Sequence, residues 1–389
     1  MTGALVLLPS LRATVVGERV ELTGKFSSGV QAYVDAWDGP VRVLMEPTPQ
    51  TSVNLDNETV DPTLLPFTLE VIDYDDAALD TFLRDAAVVH GALGYRQNHL
   101  PGRCAAMGVP FVTSSEYTLK TRLQIVASEV GRGLRRARRA WWERGQERAN
   151  RDAVQTATGI QCNGTPTFEA YRELSASPML YFDTRTHDAD VLTDEALERR
   201  LRRVMDGEPL RLAFTGRLDP MKGVQHLLPL ARRLRALGVR FTLAICGGGS
   251  LDATLRDELR ARPIAEVEMK GVLDFQTELV PFVKREVDLF VCPHVQGDPS
   301  CTYMETMACG VPIVGFDNEA FQGIIDRAPV GWLSPLGDTE ALAERIAQVD
   351  RMRGILAERS RVALAMAREH TYEATFARRV AHLREHART

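Results

Sequence analysis

Along the second half of this chain, short Val-, Ile- and Phe-rich runs alternate with segments of helical period, and this feature constrains the fold most. The runs recur at 212–215, 241–246, 267–270, 288–293 and 311–316. Between them, 224–237, 251–262, 277–286 and 303–309 space their apolar residues three and four apart. Strands alternating with helices of this length form βαβ units, because parallel neighbours need a crossover long enough to return to the same end of the sheet. The first half repeats the rhythm less regularly, with strands expected at 4–8, 41–45, 67–72, 87–90, 110–113, 159–162 and 179–182. At 389 residues the chain exceeds one ordinary domain. The expectation is α/β: two Rossmann-like domains, 1–207 and 208–370, divided near the polar stretch 183–209 with its charged helix at 194–205. Ligands of such sheets bind beyond the carboxyl ends of the strands, and two facing domains leave a cleft.

Composition matters mainly for what it excludes. With 44% hydrophobic and 25% charged residues, the chain is neither disordered nor collagen-like. The apolar run at 4–8 is too short for a membrane span and has no basic segment before it, so a buried strand is expected there and no signal peptide. Six scattered cysteines contain no C-x-x-C pair, which fits neither a zinc site nor a disulfide framework. The expected setting is the reducing cytoplasm.

The net charge of −5 conceals an asymmetry. Residues 118–151 hold ten Lys/Arg against three acids, a net +7, which leaves −12 for the rest. Leu119, Leu123, Val126, Val130, Leu134, Ala137 and Trp141 recur at helical steps, and Gly131 and Gly133 predict a bend. Two readings compete. In one, the stripe is buried and the arginines are solvated; in the other, the tract and its Trp141–Trp142 pair meet anionic lipid head groups at the inner face of a membrane. Nucleic acid is not expected as a partner, since no binding module accompanies the charge.

Three loops carry the chemistry. In TGRLDPMKG, Gly216 permits a tight turn, while Arg217 and Lys222 place a fork and a point charge at a strand's carboxyl end, a combination suited to a diphosphate. The macrodipole disfavours cations at a helix start, so a bound anion would explain them. The second loop, Gly247-Gly248-Gly249-Ser250, lets a ligand approach the backbone but is not G-x-G-x-x-G, which disfavours a nicotinamide dehydrogenase. The third, GDPSCTYMETMACG from Gly297 to Gly310, opens a short helix whose free N–H groups from Ser300 to Tyr303 would suit a phosphate. Thr302 and Glu305 also fit a capping box, an ordinary structural role.

Together these residues resemble the retaining nucleotide-sugar glycosyltransferases of the GT-B fold, in particular glycosyltransferase family four. TGRLDPMKG is similar to that family's GRL-x-P-x-KG turn, ICGGGS to its Gly-rich loop, and SCTYMETMACGVPIVG to its LPLLEAMACGxPVV helix. WLSPLGDTEALAERI is similar to its closing segment, so the resemblance covers about 210–349. It implies a hexose donor that is a nucleoside-diphosphate sugar, with a UDP-sugar favoured, and no metal or other cofactor. Arg217 and Lys222 would neutralise the diphosphate and the charge that grows as the sugar departs. The groups around Ser300, Cys301 and Thr302 would hold the same phosphates. Glu305 would accept the ribose hydroxyls, with Gly216 and Gly248 close to the donor and Val272 and Leu273 along the base. Residues 371–389 resemble the family's last helix, which returns to the first domain.

One position departs from the family. Where a second Glu usually touches the donor sugar stands Gly297, with Asp298 next to it as the expected replacement. An inactive sugar-nucleotide-binding scaffold is therefore an alternative. In the first half, His90 and Glu116 are the candidates to orient the acceptor hydroxyl, and Lys25 and Phe26 correspond loosely to the family's first glycine loop. Asp73-Tyr74-Asp75 imitates a D-x-D metal site, but Asp75 and Asp76 also suit the start of a helix. The acceptor expected from the basic tract is a membrane lipid, with a soluble glycan or natural product as the alternative.

Overall fold

The computed structural model describes residues 3–49, 57–131 and 133–388, without the side chains of Lys25 and Glu129. Lys25, Glu129 and Arg132, which the sequence reading uses, lie outside that description. Two parallel sheets form the frame. The first has seven strands in the order Pro178–Tyr181, Gly159–Asn163, Phe111–Ser115, Ala86–Ala92, Ala4–Leu8, Val41–Met45 and Thr68–Val71. The second has six: Val267–Gly271, Phe241–Cys246, Leu210–Thr215, Leu289–Cys292, Ile313–Phe316 and Gly331–Ser334. Helices cover both faces, so a run such as ALVLL at Ala4–Leu8 is buried at every position. This is the two-domain Rossmann-like architecture expected from the alternation.

Three features were not expected. Thr14–Val16, Arg19–Thr23 and Asn57–Val60 pair as a small antiparallel sheet. Gly331–Ser334 is a sixth strand in a segment read only as a motif. The helix Asp194–Met205 also changes sides. Leu197, Leu201 and Val204 are part of the second domain's core, and buried Arg200 donates to the carbonyls of Lys284 and Cys309 at 3.0 and 2.9 Å. The helix therefore packs with the second domain, across the expected boundary at 207. Its charged outer face hid a strongly apolar inner one.

The last helix, Tyr372–His386, returns to the first domain, where Val380 and Leu383 are buried among Leu5, Val30 and Val88. The basic tract is two helices, Leu119–Glu129 and Leu134–Thr156. Thr118 caps the first, and the break falls at the expected glycines, with Gly133 at φ 132°.

Candidate active site

In the second sheet, the first strand, Leu210–Thr215, lies between its successor Phe241–Cys246 and the later Leu289–Cys292. The strand order reverses there, so the loops leaving Leu210–Thr215 and Leu289–Cys292 diverge and open a crevice. Those loops are 216–223 and 293–301, two of the three that carry the sequence motifs. Their approach is close. Gly223 has φ 69°, and a β-carbon on it would stand 1.7 Å from the Pro293 carbonyl oxygen. A β-carbon on Gly247 would stand 1.9 Å from the carbonyl oxygen of Gly216.

Lys222 is buried and donates from Nζ to Asp298 Oδ2 at 2.7 Å. An unpaired ammonium there would be costly, and the carboxylate offsets it. Arg217 is held differently: its side chain is 67% exposed, 3.7 Å from Asp219, with a weak contact to Met221 Sδ. Asp219 accepts from Ser250 N and Oγ at 3.0 and 2.8 Å, which ties the glycine loop to the first loop and holds its carboxyl below the usual range. Exposed Val272 lies beside Gly248, while Leu273 packs partly into the core.

The third loop corrects one expectation and removes one alternative. The amide of Ser300 already donates to Asp298 O at 2.8 Å and that of Tyr303 to Ser300 O at 3.2 Å. Two of the amides expected to await a phosphate are thus engaged within the loop. The helix Thr302–Ala308 starts without a side-chain cap, so Glu305 forms no capping box. Its carboxylate takes two bonds from Arg185, at 2.8 and 3.1 Å, and the Arg185 guanidinium lies 3.8 Å over the Phe275 ring. Arg185 was not read from sequence, since it sits in the patternless polar stretch between the sheets. Beside it, Cys301 Sγ is 3.4 Å from Asp183 Oδ2.

The first sheet has its own reversal at Ala4–Leu8, between Val41–Met45 and Ala86–Ala92. There the carboxyl ends line a cavity of about 630 Å³ whose walls include Leu8, His90, Glu116, Tyr117, Tyr181 and Arg379. Glu116 stands exposed past the end of its strand and borders the cavity. His90 is less free than expected: it is buried, Nδ1 lies 3.0 Å from Val112 O, and Nε2 lies 3.4 Å from Arg379. Burial, with the Arg379 charge adding, pushes its pKa down to about 3, so the ring is neutral.

Arg379 itself stacks on Tyr181, Phe376 and Tyr33 at 4.3, 5.3 and 5.6 Å. Its signal was an arginine on the apolar face of the last helix, between Phe376 and Leu383. Tyr117, partly exposed at the rim of the cavity, feels charges from both halves. Burial raises its phenol to about 12, the charges of Glu116 and Asp298 act the same way, and Arg217 opposes them.

Outside the crevice, Asp73 and Asp75 form a turn in which Asp73 Oδ1 accepts the Asp75 amide at 2.9 Å. Asp76 caps Ala78 at 2.8 Å. Tyr74 between them is buried, with its hydroxyl on Pro9 O and Leu44 O. These are turn contacts ahead of the helix Leu79–Leu83, which itself starts without a side-chain cap. Among the described residues no group of three His, Cys, Asp or Glu is placed to hold a metal ion. The basic tract divides its stripe: Val126 is buried, whereas Leu134 is 90% and Trp141 74% exposed. Trp142 is half-buried between the exposed Tyr95 and Arg139. No helix among the described residues is long and apolar enough to cross a membrane.

Residues 197–363 match the family model for glycosyl transferases group 1. A putative colanic acid biosynthesis glycosyltransferase, WcaL of Salmonella typhimurium, is 29% identical over 38% of this chain and 37% of its own length. A phosphatidyl-myo-inositol mannosyltransferase of Mycolicibacterium smegmatis is 28% identical over 44% of each chain. These alignments thus span less than half of the curated relatives' length. Anabaena HepE, solved with UDP, superposes with a TM-score of 0.63 over 97% of this chain and 98% of its own, at 12% identity. The superposition speaks for the fold, and the match over 197–363 for the family. Two parallel Rossmann-like sheets, with the motif loops at the reversal point of the second, give this chain the GT-B fold, and its residues 197–363 are similar to the glycosyl transferases group 1.

Proposed function

We propose that this chain is a glycosyltransferase that moves a hexose from a nucleoside-diphosphate sugar to an acceptor hydroxyl, with retention and without a metal. One observation carries the reading: loops beyond the carboxyl ends of the two sheets meet, Thr121 and Gln124 at Gly297 and Asp183 at Cys301. Cations Arg217 and Lys222 stand at the carboxyl end of the second sheet, and the 630 Å³ cavity lies at that of the first. In this reading the acceptor oxygen bonds to the anomeric carbon as the bond to the diphosphate breaks on the same face. The hydroxyl proton leaves with the diphosphate. Arg217 and Lys222 balance the charge that accumulates on the leaving group, often the largest catalytic contribution. Glu305 receives the ribose hydroxyls, and a carboxylate has lone pairs enough to do so while paired with Arg185. The cavity between His90, Glu116 and Arg379 takes the acceptor. The UDP held by HepE supports uridine as the base.

For the acceptor we favour a membrane lipid reached from the cytoplasmic face. Supporting this are the outward Leu134 and Trp141 in an arginine-rich helix and the likeness to a phosphatidyl-myo-inositol mannosyltransferase. The likeness to WcaL favours a glycan acceptor as the second reading. The test is release of nucleoside diphosphate from a panel of UDP- and GDP-hexoses, with lipid extract or oligosaccharide as acceptor. Turnover is expected with one pair. Nucleotide binding without release from any donor, under every acceptor, overturns the enzymatic reading.

A further inference from the structure

The cavity at the carboxyl end of the first sheet holds a cation whose contacts are all with uncharged groups. Arg379 lies on the face of the helix Tyr372–His386 that packs onto that sheet through Phe376 and Leu383. Its Nε donates to Gln161 Oε1 at 2.9 Å, and its Nη2 lies 3.4 Å from His90 Nε2. His90 Nδ1 faces the Val112 carbonyl at 3.0 Å, so that nitrogen carries the proton and the neutral ring offers Nε2 as an acceptor. A guanidinium has five N–H groups, and these two contacts use two of them. The rings of Tyr181, Phe376 and Tyr33 surround the group and keep water from it, but they offer no lone pair.

Arg122, on the same cavity, shows the contrast: Glu143 and Glu147 neutralise it at 3.3 and 2.6 Å. Among the described residues Arg379 forms no ion pair, although it keeps part of its surface open and lines the cavity of about 630 Å³. The cavity's other charges are Glu116 and Asp183, whose fields reach Arg379 from further away. Both lie toward the donor loop 293–301. Asp183 meets Cys301 at 3.4 Å, and Tyr117, next to Glu116, feels the Asp298 charge. The cavity is therefore bipolar, positive against the first sheet and negative toward the donor.

A neutral acceptor filling this space would leave the guanidinium desolvated and without a counter-charge, which is costly. An oxyanion would pair with it and take the remaining N–H groups of the fork. At the other pole a carboxylate only accepts, so it suits hydroxyls. Resting on the glycosyltransferase reading, we propose that the acceptor is anionic: Arg379 binds its oxyanion, a phosphate or a carboxylate, and so turns its hydroxyls toward Glu116 and the donor.

Two matched pairs of small acceptors test this by calorimetry with UDP present, or GDP if the wild type prefers guanine. Glycerophosphoinositol against myo-inositol stands for a lipid head group, and methyl β-D-glucuronide against methyl β-D-glucoside for an acidic glycan. In wild type the charged member of at least one pair should bind about tenfold to a hundredfold more tightly than its neutral counterpart. The pair that shows the difference identifies the source of the anion. Arg379→Gln should bring that ratio to within about twofold of one, with nucleotide affinity within about twofold of wild type. Glu116→Gln, at an exposed position, should raise the ratio, because it removes a like charge from the anion's cavity. Equal binding within both pairs by wild type, or no binding of either charged member, overturns the proposal. So does a ratio that survives in Arg379→Gln, which would leave Arg379 only a strut between the last helix and the sheet. Should Arg379→Gln not fold, a ratio in Glu116→Gln no higher than wild type overturns the proposal instead. A wild type that binds no nucleotide at all overturns the glycosyltransferase reading itself, a different result from any of these.

Discussion

Arg217 and Lys222 carry the same charge in one turn but are held by opposite means, so their removal should be felt differently. Arg217 is mostly exposed, and its Ala variant should keep unfolding free energy within about 0.5 kcal/mol of wild type. Its transfer rate should nonetheless fall about 10²- to 10³-fold. Lys222→Ala strands the Asp298 carboxylate in a buried site, so it should lose stability as well as turnover, by about 3 kcal/mol in urea denaturation. Equal stability of the two variants would show that the Lys222–Asp298 pair is not structural. The two cations were legible in sequence because a strand, a glycine turn and a proline fix where residues six and one positions on will sit. The hold of Arg185 on Glu305 was not, since the partners are 120 residues apart and meet only when the second sheet is packed.

At the scale of elements, the helix Leu134–Thr156 shows what periodicity can and cannot settle. Its stripe continues from Leu119–Glu129 in sequence, yet after the break the two helices turn opposite faces to the core. Leu134, Trp141, Arg138, Arg144 and Arg148 share the exposed side, about a turn apart. That arrangement of apolar and basic groups suits an anionic bilayer surface, where each arginine contributes about 1 kcal/mol. Sedimentation with anionic phosphatidylglycerol vesicles should lose about a hundredfold in partitioning for Arg138/Arg144/Arg148→Ala, three arginines at about 1 kcal/mol each. A Leu134/Trp141→Ser variant should bind more weakly to the same vesicles, with no change in melting temperature. Wild-type partitioning by both variants would rule out the membrane as this helix's partner. The break itself was readable from Gly131 and Gly133; the direction of each half was not.

For the whole molecule, buried histidines set the acid limit. Burial holds His90 near 3 and His370 near 4, and depresses His294 well below the usual value. In the unfolded chain each protonates near 6.5. Between those values the unfolded state binds more protons, so the stability they contribute is complete above about pH 6.5 and is lost as pH falls toward 3–4. The melting temperature should therefore be flat from pH 8 to 6.5 and decline below it. His90→Gln, which removes the proton site next to Arg379, should make the decline shallower. An unaltered slope would mean that His90 is not a source of the acid sensitivity.

Local chemistry determined much of this protein before any packing was known. Continuous apolar runs declared strands covered on both faces. Gly216 declared a tight turn, and Arg217 and Lys222 after it declared cations at a strand's carboxyl end. Each of these follows from interactions within a few residues, which a sequence displays directly. The tertiary structure decided what depends on long-range burial. It placed Asp194–Met205 in the second core, turned Trp141 outward, enclosed Arg379 among three aromatic rings, and brought Glu319 into the space beside Gly297. Whether a charged or apolar group faces a core, a cavity or water depends on which distant surfaces gain most by meeting, and no local pattern records that competition. The same holds for the charge asymmetry of the basic tract: its size is a property of the sequence, and its exposure is a property of the fold.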